Sequence, residues 1–433
     1  MPVIAACTAH AWWQMGGVDV ISVDKLLWAL MLLVLREPWK DFRRIVRKEH
    51  GGVGNEADAM ANELQTPTGV PPLTKEGDVS EQMALMEPAC DQVDRKADVD
   101  QMDGQPYPAT FGRRLSWVGV LLVSIRLNNW KINSPSHDRY QPPSPAFQSR
   151  TAFMKHAILC FIRGYLILDL TRAYISTDSY FTDTTVSIRS PLPFTSLRLV
   201  PPQLLRSMVI GAQAWALLSQ VFYLPCLLPV GLHALGWLTD EWSPHNWAPY
   251  YGPPQAIFSH GVRGFWGQYW HQTMRWSVSA PGYALADVMR LKSGSVLRYA
   301  VITATAFGLS GVVHMGLVPP EPLHSTISPN VIRLYVAGFF WLQPLAMLVE
   351  LLVGHICVRA TSLQYWQHGY ALRTRTLANG IWVIVWFTLA LSLLGEAGRQ
   401  LGYWRFWTVP ISVWEGLRGE GWIMWPVLLA GTR

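Results

Sequence analysis

Apolar runs recur along this chain, separated by polar, proline-rich or aromatic stretches, and their lengths predict a succession of helices. The first run, Leu26 to Leu35, is followed by Arg36, Lys40, Arg43, Arg44, Arg47 and Lys48, which places that side in the cytosol. It is shorter than the ~20 residues a span needs, so either Val18 to Val23 extends it or it lies in the interface. From Glu49 to Tyr107 no long apolar run occurs and acidic residues dominate, as in a solvated cytosolic loop of a composition that supports disorder. Leu115 to Ile125 is a short apolar piece, and Arg126 to Pro145 is polar and proline-rich, with a re-entrant loop or a ligand contact both open to it. Ala152 to Leu170 is a predicted span in which Lys155, His156 and Arg163 snorkel or face a cavity. Asp178 to Asp183 reads as a polar loop, and Leu204 to Leu238 as a helix broken at Pro225 and Pro229. Asp240 to Pro254 is an aromatic and proline loop, and Tyr283 to Arg290 a short helix ending at Lys292-Ser293-Gly294. Further spans are predicted at Leu297 to Val318, Val331 to Val353 and Leu377 to Leu394. Ile411 to Leu429 is interrupted by Glu415 to Gly421 and is at best a short terminal span.

The fold class that follows is all-α: a polytopic transmembrane helical bundle with broken and re-entrant helices and about seven to nine spans. Three parts are expected: an N-terminal membrane segment with its basic flank (1–48), an acidic polar loop (49–110) and a membrane domain (111–433). Composition agrees, since 50% of the residues are hydrophobic, only 15% are charged, and 22 are Trp, a residue that favours bilayer interfaces. The net charge of +6 lies largely in Arg and Lys flanking apolar runs, which sets topology and does not describe a nucleic-acid surface. Cys7, Cys90, Cys160, Cys226 and Cys357 are odd in number and scattered, with no CxxC and no disulfide framework.

Candidate chemistry sits in two places. Arg263 to Trp276 packs aromatics, two arginines and His271 between hydrophobic stretches and does not read as a span. Downstream, the apolar run Tyr299 to Val318 carries one ionisable group, His314. A lone imidazole in hydrocarbon is costly and asks for a reason, catalytic or structural. Ser310 and Gly311 lie four and three residues before it, on the same helical face, and would let a substrate or another helix come close. Glu350 and Glu396, in later runs, read as helix packing.

Phe265-Trp266-Gly267-Gln268-Tyr269-Trp270-His271-Gln272 resembles the F-W-x-x-x-W-H-Q signature of wax-synthase-like enzymes, a branch of the membrane-bound O-acyltransferases. Phe307-Gly308-Leu309-Ser310-Gly311-Val312-Val313-His314 is similar to the F-x-x-S-G-x-x-H block that follows it in that family. A looser similarity covers Arg126-Leu127-Asn128-Asn129-Trp130 and the apolar C-terminal third, so that residues 115 to 430 are spanned. The resemblance implies transfer of an acyl group from acyl-CoA to a hydroxyl of a hydrophobic molecule, with no bound cofactor and no metal. It implies His314 as general base and His271 as the polar neighbour that engages the thioester. Trp270, Gln272, Phe265, Trp266 and Ser310 are candidate substrate contacts, and Arg263 and Arg275 candidate partners for the phosphates of coenzyme A. The layout looks more like the fungal tailoring enzymes that acetylate terpenoid-type alcohols, with acetyl-CoA as donor, than like long-chain wax ester synthases. The family's usual home is the endoplasmic reticulum; the expected partners are the lipid bilayer, the hydrophobic alcohol and acyl-CoA, and no nucleic acid. No G-x-S-x-G motif is present, so direct transfer is expected rather than a stable acyl-enzyme.

Two other classes compete. A metal-dependent membrane oxidase needs histidines paired at i, i+3 or i+4, and the twelve here form no such pair. A transporter would use His271 and His314 to line a path for protons or solute.

Overall fold

A computed structural model describes residues 19–35, 37–45, 105–124, 126–127, 129–132, 147, 149–194, 199–239, 242–322, 325–360 and 369–425. The expected acidic loop therefore lies almost wholly outside the described residues. What is described is largely helical: α1 (Asp19–Leu30), α2 (Phe111–Val123), α3 (Arg150–Thr177), α4 (Pro202–Ala234), α5 (Gln255–Gly264), α6 (Arg275–Val288), α7 (Val296–Met315), α8 (Pro329–Trp341), α9 (Gln343–Ala360), α10 (Gly369–Gln400) and α11 (Val413–Leu417). Five stretches among the described residues, 150–177, 202–234, 296–315, 329–357 and 373–400, are long and apolar enough to cross a bilayer. The protein is a multi-pass helical membrane bundle, and several of the shorter apolar pieces are helices below spanning length.

Helix pairs are joined by close approach and by polar contacts inside the bundle. α3 lies against α4, where the Gln220 amide donates to Phe161 O (2.8 Å) and a Cβ on Gly164 would collide with that amide. Nearby the Gln213 amide donates to Thr171 Oγ1 (2.7 Å), a bond between helices that lipid could not replace. α6 packs on α7, α7 on α8, and α10 on α5, α8 and α4. A two-stranded antiparallel ribbon, β1 (Phe42–Arg44) and β2 (Trp130–Ile132), pairs Phe42 with Ile132 and Arg44 with Trp130. Edge-to-face contacts run from Trp117 to Trp130, Phe42, Trp276 and Trp28, tying α1 and α2 to the start of α6.

Three expectations change. The helix predicted to break at Pro225 and Pro229 is continuous through both as α4. Each proline removes one backbone donor, but a break in hydrocarbon would strand more groups than the two missing bonds do. The span predicted at Val331 to Val353 falls within the stretch 329–357, marked only by a turn at Leu342, between α8 and α9, where the buried Gln343 amide donates to Phe339 O (2.6 Å). The short helix predicted from Tyr283 begins earlier, at Arg275, and carries Pro281 within it. Residues 411–425 do not form a span. Ile411 bridges Ile423, and Asp169 of α3 accepts from Ser412 Oγ (2.5 Å) and Trp414 N (2.9 Å), folding the segment back on the bundle.

Candidate active site

α5 leads into the Phe265 to Gln272 stretch. Gly261 gives it the bend it needs, with φ of +65°, a conformation that disfavours any residue with a Cβ. Helix restarts at Val262, and Glu350 of α9 caps it from a distance. Its carboxylate accepts from Val262 N (2.5 Å) and Arg263 N (3.1 Å), and the Arg263 guanidinium lies 3.7 Å away. This satisfies amides that the bend leaves without helical partners. Arg263 is thereby engaged within the protein, and Glu350 does more than pack.

Phe265–Tyr269 then winds as a π turn closed by Trp270 N donating to Phe265 O (2.7 Å). Gln272, which is buried, donates from Nε2 to Trp266 O (3.3 Å) and Trp270 O (2.5 Å), and its Oε1 accepts from Arg275 Nη1 (2.9 Å). Arg275 also donates to Gly267 O (2.6 Å). Gln272 and Arg275 together tie off the carbonyls of the turn and fix where Trp270 and His271 emerge.

The His271 ring stacks on Tyr250 (5.3 Å between centroids, 12° between planes) and abuts Trp270 at 5.4 Å. Tyr250 is set by the aromatic loop. Its amide donates to Tyr223 Oη (3.1 Å), while Arg126 donates to Ala248 O and Pro249 O (3.1 and 2.7 Å) and lies over the Phe222 and Tyr250 rings. His271 Nδ1 is buried with no hydrogen-bond partner among the described residues. A buried polar atom of this kind marks a place where a ligand atom can be held. Burial, with His314 and Arg126 nearby, pushes the His271 pKa down to about 3, so the ring is neutral at cytosolic pH.

From Trp270 a line of rings reaches the second histidine. Trp270 meets Trp266 (5.9 Å), Trp266 meets Phe307 of α7 (5.4 Å) and Phe340 of α8 (6.3 Å), and Phe340 stacks on His314 (4.0 Å, 29°). His314 Nδ1 lies 2.7 Å from Ser310 O, a carbonyl that can only accept. Nδ1 therefore carries the proton, and in the neutral ring Nε2 keeps its lone pair. Residues Phe265 to His271, and His314, are only partly buried despite these contacts. Ser310 contributes its carbonyl to this arrangement. A Cβ on Gly311 would strike the Trp341 indole, whose Nε1 donates to Gly308 O (3.2 Å), so glycine is what lets α7 and α8 close around His314.

Two residues are invisible to motif reading. Gln343, fully buried at the α8/α9 turn, accepts through Oε1 from both Trp266 Nε1 and Trp386 Nε1 (3.0 Å each). Phe340 is the plate on which His314 rests. The sequence signal for Gln343 is a polar residue inside an apolar run, next to Pro344.

The sequence pattern of the "Membrane bound O-acyl transferase family" matches residues 247–319, the stretch that runs from the aromatic loop through His271 to His314. The chain also aligns with "Acetyltransferase eriL" of Hericium erinaceus at 27% identity, over 74% of this chain and 76% of that protein. It aligns with "Acetyltransferase pyr8" of Aspergillus fumigatus at 28% identity, over 69% of this chain and 68% of that one. The chain belongs to the membrane-bound O-acyltransferase family. A third relative of this acyltransferase, "Acetyltransferase ple2" of Rhodocybe pseudopiperita, is 31% identical over 48% of this chain and 49% of that one. No solved structure matches. As a membrane-bound O-acyltransferase, the protein is an enzyme, and its place is in the bilayer.

Proposed function

We propose that this acyltransferase moves an acetyl group from acetyl-CoA to a hydroxyl of a hydrophobic small molecule of terpenoid type, at the endoplasmic reticulum membrane. The observation that carries the chemistry is the contact of His314 Nδ1 with Ser310 O, which leaves Nε2 as a base in an aromatic surround. His314 Nε2 takes the proton of the acceptor hydroxyl as that oxygen bonds to the thioester carbonyl carbon. His271 Nδ1–H donates to the carbonyl oxygen, where negative charge develops. The carbon–sulfur bond then breaks, the thiolate takes the proton from His314, and ester and free coenzyme A leave.

In this reading Trp270, Trp266 and Phe265 wall the acyl group, and Gln272 and Arg275 keep the π turn that carries His271 in place. The names of the relatives, each an acetyltransferase, support the acetyl donor. The donor is decided by incubating membranes that carry the protein with labelled acetyl-CoA, or with a long-chain acyl-CoA, and a panel of terpenoid and linear alcohols. Label from acetyl-CoA appearing in terpenoid esters is the expected outcome. Transfer of long chains to linear alcohols instead would make the protein a wax ester synthase.

A further inference from the structure

The outer face of α3 carries a groove of about 600 Å³ whose lining includes His156, Leu159, Cys160, Arg163, Leu166 and Leu170. Its walls are apolar and open: Leu159, Ile162, Leu166 and Leu170 are 46–55% exposed, as side chains facing acyl chains would be. Its floor is polar. Cys160 Sγ lies 3.5 Å from His156 Nε2, which is 3.3 Å from Tyr223 Oη, and the Arg163 guanidinium sits over the Trp215 ring at 4.9 Å.

Arg163 is the residue that needs a partner. It stands near the middle of the 28-residue α3, and a rise of 1.5 Å per residue puts it about 20 Å from either end of the helix. A side chain there cannot reach the headgroup layer by snorkelling. Its described contacts are the thiol of Cys160 (3.8 Å) and the Trp215 face, and no carboxylate lies within ion-pair distance among the described residues. A cation held at that depth calls for a counter-charge. A guanidinium fork matches a carboxylate. A phospholipid phosphate fits less well, because it resides at the headgroup level rather than at mid-helix.

We infer that this groove is a bilayer-facing binding site for a hydrophobic carboxylic acid, with Arg163 holding the carboxylate and the Leu and Ile side chains holding the hydrocarbon. Two rows of packed side chains connect the groove to the candidate active site. Tyr223 Oη, which meets His156, accepts from the amide of Tyr250, the ring that backs His271. Trp215, under Arg163, stacks on Tyr251, which touches Tyr269 and Trp270. The acid bound there is an acceptor that carries both a carboxylate and a hydroxyl; that part rests on the proposed function, whereas the binding does not.

The test uses the full chain in vesicles of phosphatidylcholine with two photoactivatable probes, a diazirine-bearing hexadecanoic acid and the matching hexadecanol, and maps the labelled peptides. The acid is expected to label the 156–170 stretch about tenfold more than the alcohol, the preference a charge pair shielded from water by lipid confers. Arg163→Gln should bring the ratio to about one, and Arg163→Lys, which keeps the charge but loses the fork, should leave an intermediate ratio. Equal labelling by acid and alcohol in the parent protein, or an undiminished preference in Arg163→Gln, would overturn the site. So would loss of labelling on addition of excess phosphatidic acid, since the groove would then be taking lipid headgroups. Neither probe has to be turned over, so a failure here is distinguishable from a failure of the acetyl-transfer reading.

Discussion

The two histidines differ in what holds them. His314 has one nitrogen committed to a carbonyl and one free, whereas His271 is held by its ring faces and has a buried nitrogen with nothing on it. Removing the first should abolish proton transfer without disturbing the fold, since Phe340 and the α7 backbone do not depend on the ring. His314→Ala is expected to remain in the membrane fraction and to lose activity by about a hundred- to ten-thousandfold, the usual worth of a positioned base. Near-parental turnover in that variant would remove His314 from the mechanism. For His271 the informative measurement is the pH profile. With a pKa pushed down to about 3, the ring gains no proton between about pH 5 and 8, so its protonation cannot be what shapes activity there. His271→Asn should therefore lower the rate at every pH in that window and leave the shape of the profile unchanged; a displaced acid limb would show that His271 titrates in the working range. Both residues can be picked out from sequence, His314 as the single ionisable group of its run and His271 by the block around it. What holds each ring is another matter, because Tyr250 and Phe340 approach from segments that no local pattern connects to them.

Among the elements, the π turn Phe265–Tyr269 is the one that tertiary contacts dictate. An aromatic run read by periodicity alone suggests an interfacial stretch, and the departure from it comes from polar contacts. Glu350 caps the restart at Val262, Gln272 and Arg275 collect carbonyls, and Gln343 receives the Trp266 indole. Glu350 and Gln343 lie 88 and 77 residues downstream of the groups they bind, in an apolar run where sequence gives the polar residue but not its target. Likewise Pro225 and Pro229 are legible as helix breakers, yet the surrounding hydrocarbon makes a continuous helix the lesser cost. Gln343 offers the sharper experiment, because it satisfies two indoles at once. Gln343→Leu leaves the Trp266 and Trp386 N–H groups buried without an acceptor, at about 1–3 kcal/mol each. The purified variant should melt several degrees lower in detergent, and its activity should fall as Trp266 loses its anchor. Gln343→Glu keeps an acceptor oxygen and should recover part of the melting temperature; equal loss in both variants would mean that packing, not the shared acceptor, stabilises the junction.

The bundle taken together is closed on its N-terminal side by a short ribbon rather than by a long helix. Arg44 and Gln105 exchange backbone bonds, Arg44 N to Gln105 O at 3.0 Å and Gln105 N to Arg44 O at 2.7 Å, and Ile45 N donates to Asn129 O at 2.8 Å. The chain thus departs after Ile45 and returns at Gln105 to the same edge, so the two ends of the intervening segment are held together by contacts of their own. Those contacts sit on the aromatic cluster of Phe42, Trp130 and Trp276, the last of which lies in the first turn of α6, five residues after His271. Replacing residues 50–104 with a short Gly-Ser linker removes no described contact and, because loop closure depends only weakly on loop length, should leave folding and activity close to those of the parent. Phe42→Ala, by contrast, opens a cavity beneath Trp276 at a cost of about 3–5 kcal/mol and should lower activity by loosening the start of α6. Expressing both variants in membranes and comparing acetyl transfer per unit of folded protein separates a segment that only hangs from the ribbon from one that takes part in the site. An inactive but well-folded excision variant would place part of the acidic stretch at the active centre, and the expected division of the chain at residue 110 would have to be redrawn.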